Sequence, residues 1–399
     1  MKQNQLSRVF RRAVWIGVFC TFAVALGLTG WQLILIRKAP QLPISLPPPS
    51  GSYLVGRKCF DWIDEKRQDP FDSWHRRELV VWAWYPAGGR ARASPAPYVP
   101  GRWGLISARW SALTVRLHMS PSLFNALGTP PPLAASSLEK IQTHSWVNAP
   151  LSTGESKFPV LIFSPGLGQM PTDYTALIED IVSHGYIVFG INPTYFTDST
   201  VFSNGREVGH MPIWKRSLDI ETYYPIWVDD FLFVLEQIVA MNSVPGNPFC
   251  GHLALDRLGA FGHSYGGAAA IGASYRDSRI RAGADLDGSP RGERKSWALK
   301  QPFLVLQSEQ GIHRDRRQVQ FAKGLEHGRL IIIHGAHHAA FTDAVGFPLD
   351  EPGRTNWIGR ISAARMVKVT SLVLRQFFDG RLNEGYPATL TIPELSIER

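Results

Sequence analysis

The 399-residue sequence predicts an α/β domain, a mostly parallel sheet with helices on both faces, and three observations carry that prediction. Apolar runs of strand length alternate with helical patterns from Glu78 onward. One of these runs leads through Gly262-His263-Ser264-Tyr265-Gly266 directly into an alanine-rich stretch. The residues beyond position 50, about 350 of them, suffice for one large domain, and no repeat or second composition block argues for two.

In chain order, residues 13–36 come first: 24 positions without a charge, interrupted only by Thr21, Thr29 and Gln32. At about 1.5 Å per residue such a helix would cross a hydrocarbon layer of roughly 30 Å. Trp15 and Trp31 lie near its ends, Lys2, Arg8, Arg11 and Arg12 precede it, and Arg37 and Lys38 follow. The expectation is an uncleaved transmembrane signal anchor over 13–36, a cytoplasmic tail over 1–12, and a catalytic domain on the periplasmic, extracellular or lumenal side, so that a membrane is a partner. A cleavable signal peptide is the rival, but its apolar core is usually about 7 to 15 residues. Residues 37–52, with five prolines between 40 and 49, predict a stiff linker, leaving 53–399 as the catalytic domain.

Residues 101–146 combine Trp103, Trp110, Phe124 and Trp146 with prolines at 130–132, and predict an excursion covering the sheet or bordering the mouth of a site. The run Phe158–Ser164 predicts a strand, followed by Pro165-Gly166-Leu167-Gly168. Helices are expected over 174–184, 227–241 and 363–379, and Phe231, Val234, Leu235 and Ile238 share one face of the second, a core stripe. Residues 258–261 and 281–286 read as strands, as do 302–307 and 329–333, with a helical stretch over 316–325 between the last two. Residues 346–357 form another loop able to shape a pocket.

The Gly-x-Ser-x-Gly segment between an apolar run and a helix is the form of a nucleophile elbow, which makes Ser264 the candidate nucleophile. A serine hydroxyl needs a base, and the base needs a carboxylate to orient it. Asp287 stands at the carboxyl end of the 281–286 strand, before Gly288-Ser289-Pro290; Asp285, two residues earlier within the strand, is the competitor. His334, His337 and His338 follow the strand at 329–333, and His338 has enough loop behind it to reach back over the sheet, with His337 a second candidate. An oxyanion needs two donors, and the Tyr265 N–H and the Leu167 N–H, flanked by glycines, are expected to supply them. The set predicts a serine hydrolase that needs no metal or organic cofactor. A metal cluster finds little support in the histidine loop, where Asp343 is the acidic residue close by.

These segments resemble the α/β-hydrolases related to plasma-type platelet-activating-factor acetylhydrolase and its bacterial relatives. The resemblance rests on residues 163–168, 262–267, 284–287 and 335–341, and on 77–86, which look like the first core strands of that family; it covers about 53 to 382. The spacings, 23 residues from Ser264 to Asp287 and 51 on to His338, fit the family pattern and favour Asp287 and His338 over their neighbours. The resemblance implies calcium-independent hydrolysis of short or oxidised sn-2 acyl esters of phospholipids, with Leu167 and Tyr265 as the oxyanion donors. Relatives usually carry a histidine where Pro165 stands, and residues 190–194 lack the His or Glu-His often seen there, so chemistry is inherited more safely than substrate. A general carboxylesterase or polyester hydrolase on the same fold is the alternative, and a catalytically silent binding module is a third reading.

The formal charge of +9 is scattered and accompanies no nucleic-acid motif, so nucleic acid is not an expected partner. Of three cysteines, Cys20 falls in the apolar segment, and Cys59 and Cys250 are either one disulfide or two thiols.

Overall fold

The apolar runs form strands that hydrogen-bond into one sheet, and the computed structural model describes them within residues 44–90, 93–99, 103, 138, 140–209, 221–293, 297–314, 316–347, 354–382 and 392–398. The chain divides into two units, 1–42 and 43–399, and the described residues all belong to the second. Its strands are β1 (Leu54–Gln68), β2 (Arg76–Ala87), β3 (Ser94–Pro97), β4 (Gln142–Val147), β5 (Phe158–Ser164), β6 (Ile187–Asn192), β7 (Ser199–Val201), β8 (Glu207–Gly209), β9 (Leu253–His263), β10 (Ala282–Leu286), β11 (Phe303–Ser308), β12 (Gly328–Ile333) and β13 (Leu395–Glu398). The helices are α1 (Thr175–Ser183), α2 (Tyr224–Met241), α3 (Tyr265–Arg276), α4 (Glu309–Arg314), α5 (Arg317–Lys323) and α6 (Ala363–Leu382).

Eleven strands lie in the order β13-β12-β11-β10-β9-β5-β6-β2-β1-β4-β3, and β7 pairs with β8 apart from them. The six strands from β12 to β6 run parallel. The flanking β2 and β13 pair antiparallel. Because both faces of a parallel sheet are covered, its strands are apolar throughout, and β5, β6, β10 and β11 are buried at every position. Side chains alternate between two cores. Val80, Trp82, Trp84, Leu161 and Phe163 pack under α1 and α6, whereas Leu79, Val81, Val160 and Ile162 pack under α2 and α3. The carboxyl ends of β5, β6, β9, β10, β11 and β12 therefore share one edge, where open α/β sheets place their chemistry.

The elements follow the expected runs with shifts at their ends. Pro225 starts α2 earlier than its apolar stripe implies, since proline fits the first turn of a helix. The helical stretch expected over 316–325 is the short α5, preceded by α4, whose Gly311 and His313 give no helical signal. Of the expected linker, residues 44–52 pack onto the domain: Ile44 and Leu46 are buried, and Ser45 bridges to Gln142. Cys59 and Cys250 are free thiols. Trp103 is buried with its ring 5.6 Å from that of Trp82. Most of the excursion at 101–146, and residues 348–353 of the second loop, lie outside the described residues.

The expectation of a transmembrane helix preceding the domain, and of a single-pass protein facing away from the cytoplasm, is corrected. Among the described residues no helix is long and apolar enough to cross a membrane. The reason is visible in the two long helices. The sequence of α6 carries Arg365, Lys368, Arg375, Asp379 and Arg381, and α2 carries Asp229, Asp230 and Glu236, so each has a polar side that a bilayer would not accept. Residues 13–36 themselves lie outside the described residues, and the anchor and the membrane partner drawn from them are not carried further.

Candidate active site

The strand β9 ends at His263, and the chain turns into α3 at Ser264, whose φ of 55° and ψ of −118° place it in the left-handed half of backbone space. Such a conformation is costly for a residue with a side chain and is held only where the surroundings fix it. Two glycines do so here. A β-carbon on Gly262 would lie 2.3 Å from the Gly266 carbonyl, and one on Gly266 would lie 2.2 Å from the Ser164 oxygen. The Ser264 N–H donates to the Leu286 carbonyl at 2.9 Å, tying the elbow to the end of β10.

Asp287 follows β10 with φ of 55°, and its N–H donates to Leu306 at 2.8 Å. Its carboxylate accepts the Ser308 N–H on Oδ1 and the Ser308 hydroxyl on Oδ2, both at 2.9 Å. His338 opens a single 3-10 turn, His338–Phe341, beyond β12. Its Nδ1 lies 2.6 Å from Asp287 Oδ2 and its Nε2 lies 3.0 Å from Ser264 Oγ. A serine, an imidazole and a carboxylate thus form one continuous hydrogen-bonded chain at the sheet edge, the geometry by which a hydroxyl is made nucleophilic.

Gly166-Leu167-Gly168 lies across from the elbow, braced by the Gly168 N–H donating to Phe196 at 2.8 Å. Among the described residues the Leu167 N–H has no hydrogen-bond partner. Tyr265 is the first residue of α3, where an N–H has no acceptor within its own helix. The Tyr265 ring meets Trp227 edge-on at 4.9 Å, and the Arg291 guanidinium stacks over it at 5.0 Å.

All five predicted residues are on this edge: Ser264, Asp287 and His338 are joined directly, and Leu167 and Tyr265 flank the serine through their turns. The competitors are elsewhere. Asp285 is fully buried behind the elbow, accepts the Gly288 N–H at 2.8 Å, and is held well above the usual carboxylate range by burial. The half-buried His337 lies against Gln310 at 3.4 Å and the Asn356 carbonyl at 3.3 Å. Among the described residues no group of three or more His, Cys, Asp or Glu side chains is arranged to hold a metal ion.

Two features escaped the sequence reading. Ser308 binds Asp287 twice, and the signal lay in its place at the end of β11, next to β10. His263 was visible as the second residue of the elbow motif, but its partners were not.

A family model described as platelet-activating factor acetylhydrolase, isoform II, matches residues 130–194 and 237–361, which include Leu167, Ser264, Tyr265, Asp287 and His338. Over those residues the chain is similar to that family. A protein of Arthroderma benhamiae described as a probable 1-alkyl-2-acetylglycerophosphocholine esterase is 26% identical over 369 residues, covering 85% of this chain and 89% of its own length. The platelet-activating factor acetylhydrolase of Cavia porcellus is 28% identical over 232 residues, 49% of this chain and 50% of that enzyme. A solved structure, the ferulic acid esterase from Streptomyces cinnamoneus, superposes with a TM-score of 0.71 at 26% identity, over 90% of this chain and all of that one. The protein is a serine hydrolase of carboxylic esters on an α/β-hydrolase-like fold.

Proposed function

We propose that the protein hydrolyses short or oxidised sn-2 acyl esters of phospholipids without calcium, through an acyl-enzyme on Ser264. The observation that carries the chemistry is the unbroken chain of contacts from Ser264 Oγ through His338 to Asp287 Oδ2. His338 takes the serine proton as Oγ attacks the ester carbonyl, and Asp287 keeps the opposite ring proton on Nδ1 and stabilises the imidazolium. The N–H groups of Leu167 and Tyr265 receive the oxyanion. His338 then protonates the leaving alcohol, and water, deprotonated by the same imidazole, releases the acid. The phospholipid substrate is supported by the Arthroderma benhamiae relative, described as a probable 1-alkyl-2-acetylglycerophosphocholine esterase, whose match covers most of both chains.

A second reading, an esterase of simpler or aromatic esters, is favoured by the ferulic acid esterase, whose whole length this chain covers. The two are separated by offering the purified protein, in chelator, a short-chain sn-2 phospholipid, its long-chain counterpart and an aryl ester. Cleavage of the short-chain phospholipid, abolished by Ser264→Ala, is the expected result. Cleavage of the aryl ester alone removes the phospholipid assignment and leaves the esterase.

A further inference from the structure

We propose that His263 is a positioning residue that fixes the base His338 relative to Ser264, and that Tyr174 completes its hold by linking it to the turn bearing Leu167. The proposal rests on the Ser264–His338–Asp287 reading and adds a fourth side chain to it. His263 is 1% exposed, and both of its ring nitrogens are engaged. Its Nε2 lies 3.1 Å from the His338 backbone oxygen, an acceptor, so the ring proton belongs on Nε2. Nδ1 is then an acceptor, and the hydroxyl of the fully buried Tyr174 donates to it at 2.7 Å. The Tyr174 oxygen in turn accepts the Gly166 N–H at 3.0 Å, and its single proton faces both His263 Nδ1 and Gln169 Oε1.

A continuous line of contacts thereby runs from Gly166 through Tyr174 and His263 to the backbone of His338. The His263 ring also stacks on the His338 ring, with centroids 4.5 Å apart at 36°. One residue therefore does two things: its backbone precedes the nucleophile, and its side chain holds the carbonyl and covers one face of the base. Burial, and then the charge of His338, hold its pKa well below the usual histidine value, so it adds no positive charge beside the imidazolium formed during turnover. A β-carbon on Gly166 would stand 2.4 Å from Gln169 Oε1 and 3.2 Å from His263 Nδ1, so a larger residue there would push the Gln169 amide aside and crowd the His263 ring.

The test measures kcat and KM on a soluble aryl acetate for the wild type, Ser264→Ala, His263→Leu, His263→Gln and Tyr174→Phe. Tyr174→Phe keeps the ring and removes only the hydroxyl. Its kcat is expected to fall about fivefold, the equivalent of one ordinary hydrogen bond, with KM unchanged. His263→Leu is expected to lose about a hundredfold in kcat, as misplaced catalytic groups do. His263→Gln, whose side-chain N–H reaches the same carbonyl, is expected to recover most of that loss. Combining Tyr174→Phe with His263→Leu should cost less than the product of the two single losses, because the hydroxyl then has no ring to hold and keeps only its contact with Gly166 to lose. The proposal is overturned if Tyr174→Phe keeps full kcat, or if Gln at 263 is no better than Leu, which would make the ring a space-filler. Activity retained by Ser264→Ala would instead overturn the underlying triad.

Discussion

Replacing Asp287 by Asn changes one atom and, in this site, reverses one hydrogen bond. The wild-type carboxylate accepts the Ser308 N–H on Oδ1 at 2.9 Å and faces His338 Nδ1 with Oδ2 at 2.6 Å. A backbone N–H cannot turn away, so the asparagine must keep its oxygen toward Ser308 and present its NH2 to the histidine. Nδ1 then becomes an acceptor, the ring proton moves to Nε2, and Nε2 can no longer accept the proton of Ser264. The loss is that of the base itself, about 10⁴-fold in kcat, or about 5 kcal/mol of transition-state stabilisation. The assay is kcat on an aryl acetate near neutral pH, with thermal melting alongside, because the asparagine keeps its bond to Ser308 N and the fold should be little changed. An Asp287→Asn enzyme within tenfold of the wild type would refute the reasoning, since it would mean that His338 does not depend on Asp287 for its tautomer.

Three further expectations concern buried groups of the domain. Gly266→Ala puts a β-carbon 2.2 Å from the Ser164 oxygen, so denaturant unfolding should show a loss of at least about 3 kcal/mol, with esterase activity falling as the neighbouring turn is displaced. Burial raises the pKa of Asp285 well above the usual carboxylate range, so below that raised value the folded state holds a proton that the unfolded chain releases above about pH 4. Stability should therefore decline as pH rises from that point toward the raised folded value, and Asp285→Asn, which cannot ionise, should flatten the melting temperature across that window while leaving the esterase active. Arg77 is buried between Asp69 at 3.0 Å and Asp230 at 2.6 Å, so Arg77→Leu leaves Asp69 without its cation and Asp230 with Arg67 alone, and should cost about 3–5 kcal/mol by chemical denaturation.

The elbow was legible because everything that makes it is local: an apolar strand, two glycines at fixed offsets and small residues beyond. Asp287 and His338 were legible as the first acid and one of three histidines after strands on the carboxyl edge, though spacing alone left neighbours open. The structure separates Asp285 from Asp287 by backbone conformation: strand alternation puts both on one face, but a φ of 55° redirects Asp287 toward His338, and Asp285 stays beneath Gly267 and Gly288. Ser308 was not legible, because its reach to Asp287 depends on β10 and β11 being parallel neighbours with Leu286 opposite Leu306. Sheet order is a long-range property that no window of sequence contains. Tyr174 and His338 lie 89 and 75 residues from His263, so the cluster around that ring emerges only when the strands are assembled. The burial of Ile44 and Leu46 was hidden for a related reason, since proline content reports local stiffness and not what the chain packs against.

Treating the protein with a fluorophosphonate and mapping the adduct by mass spectrometry asks directly whether Ser264 is the nucleophile. A single phosphonyl group is expected on Ser264, formed quickly by the wild type, slowly by His338→Ala and not at all by Ser264→Ala. Labelling of another residue, or rapid labelling that survives His338→Ala, would contradict it.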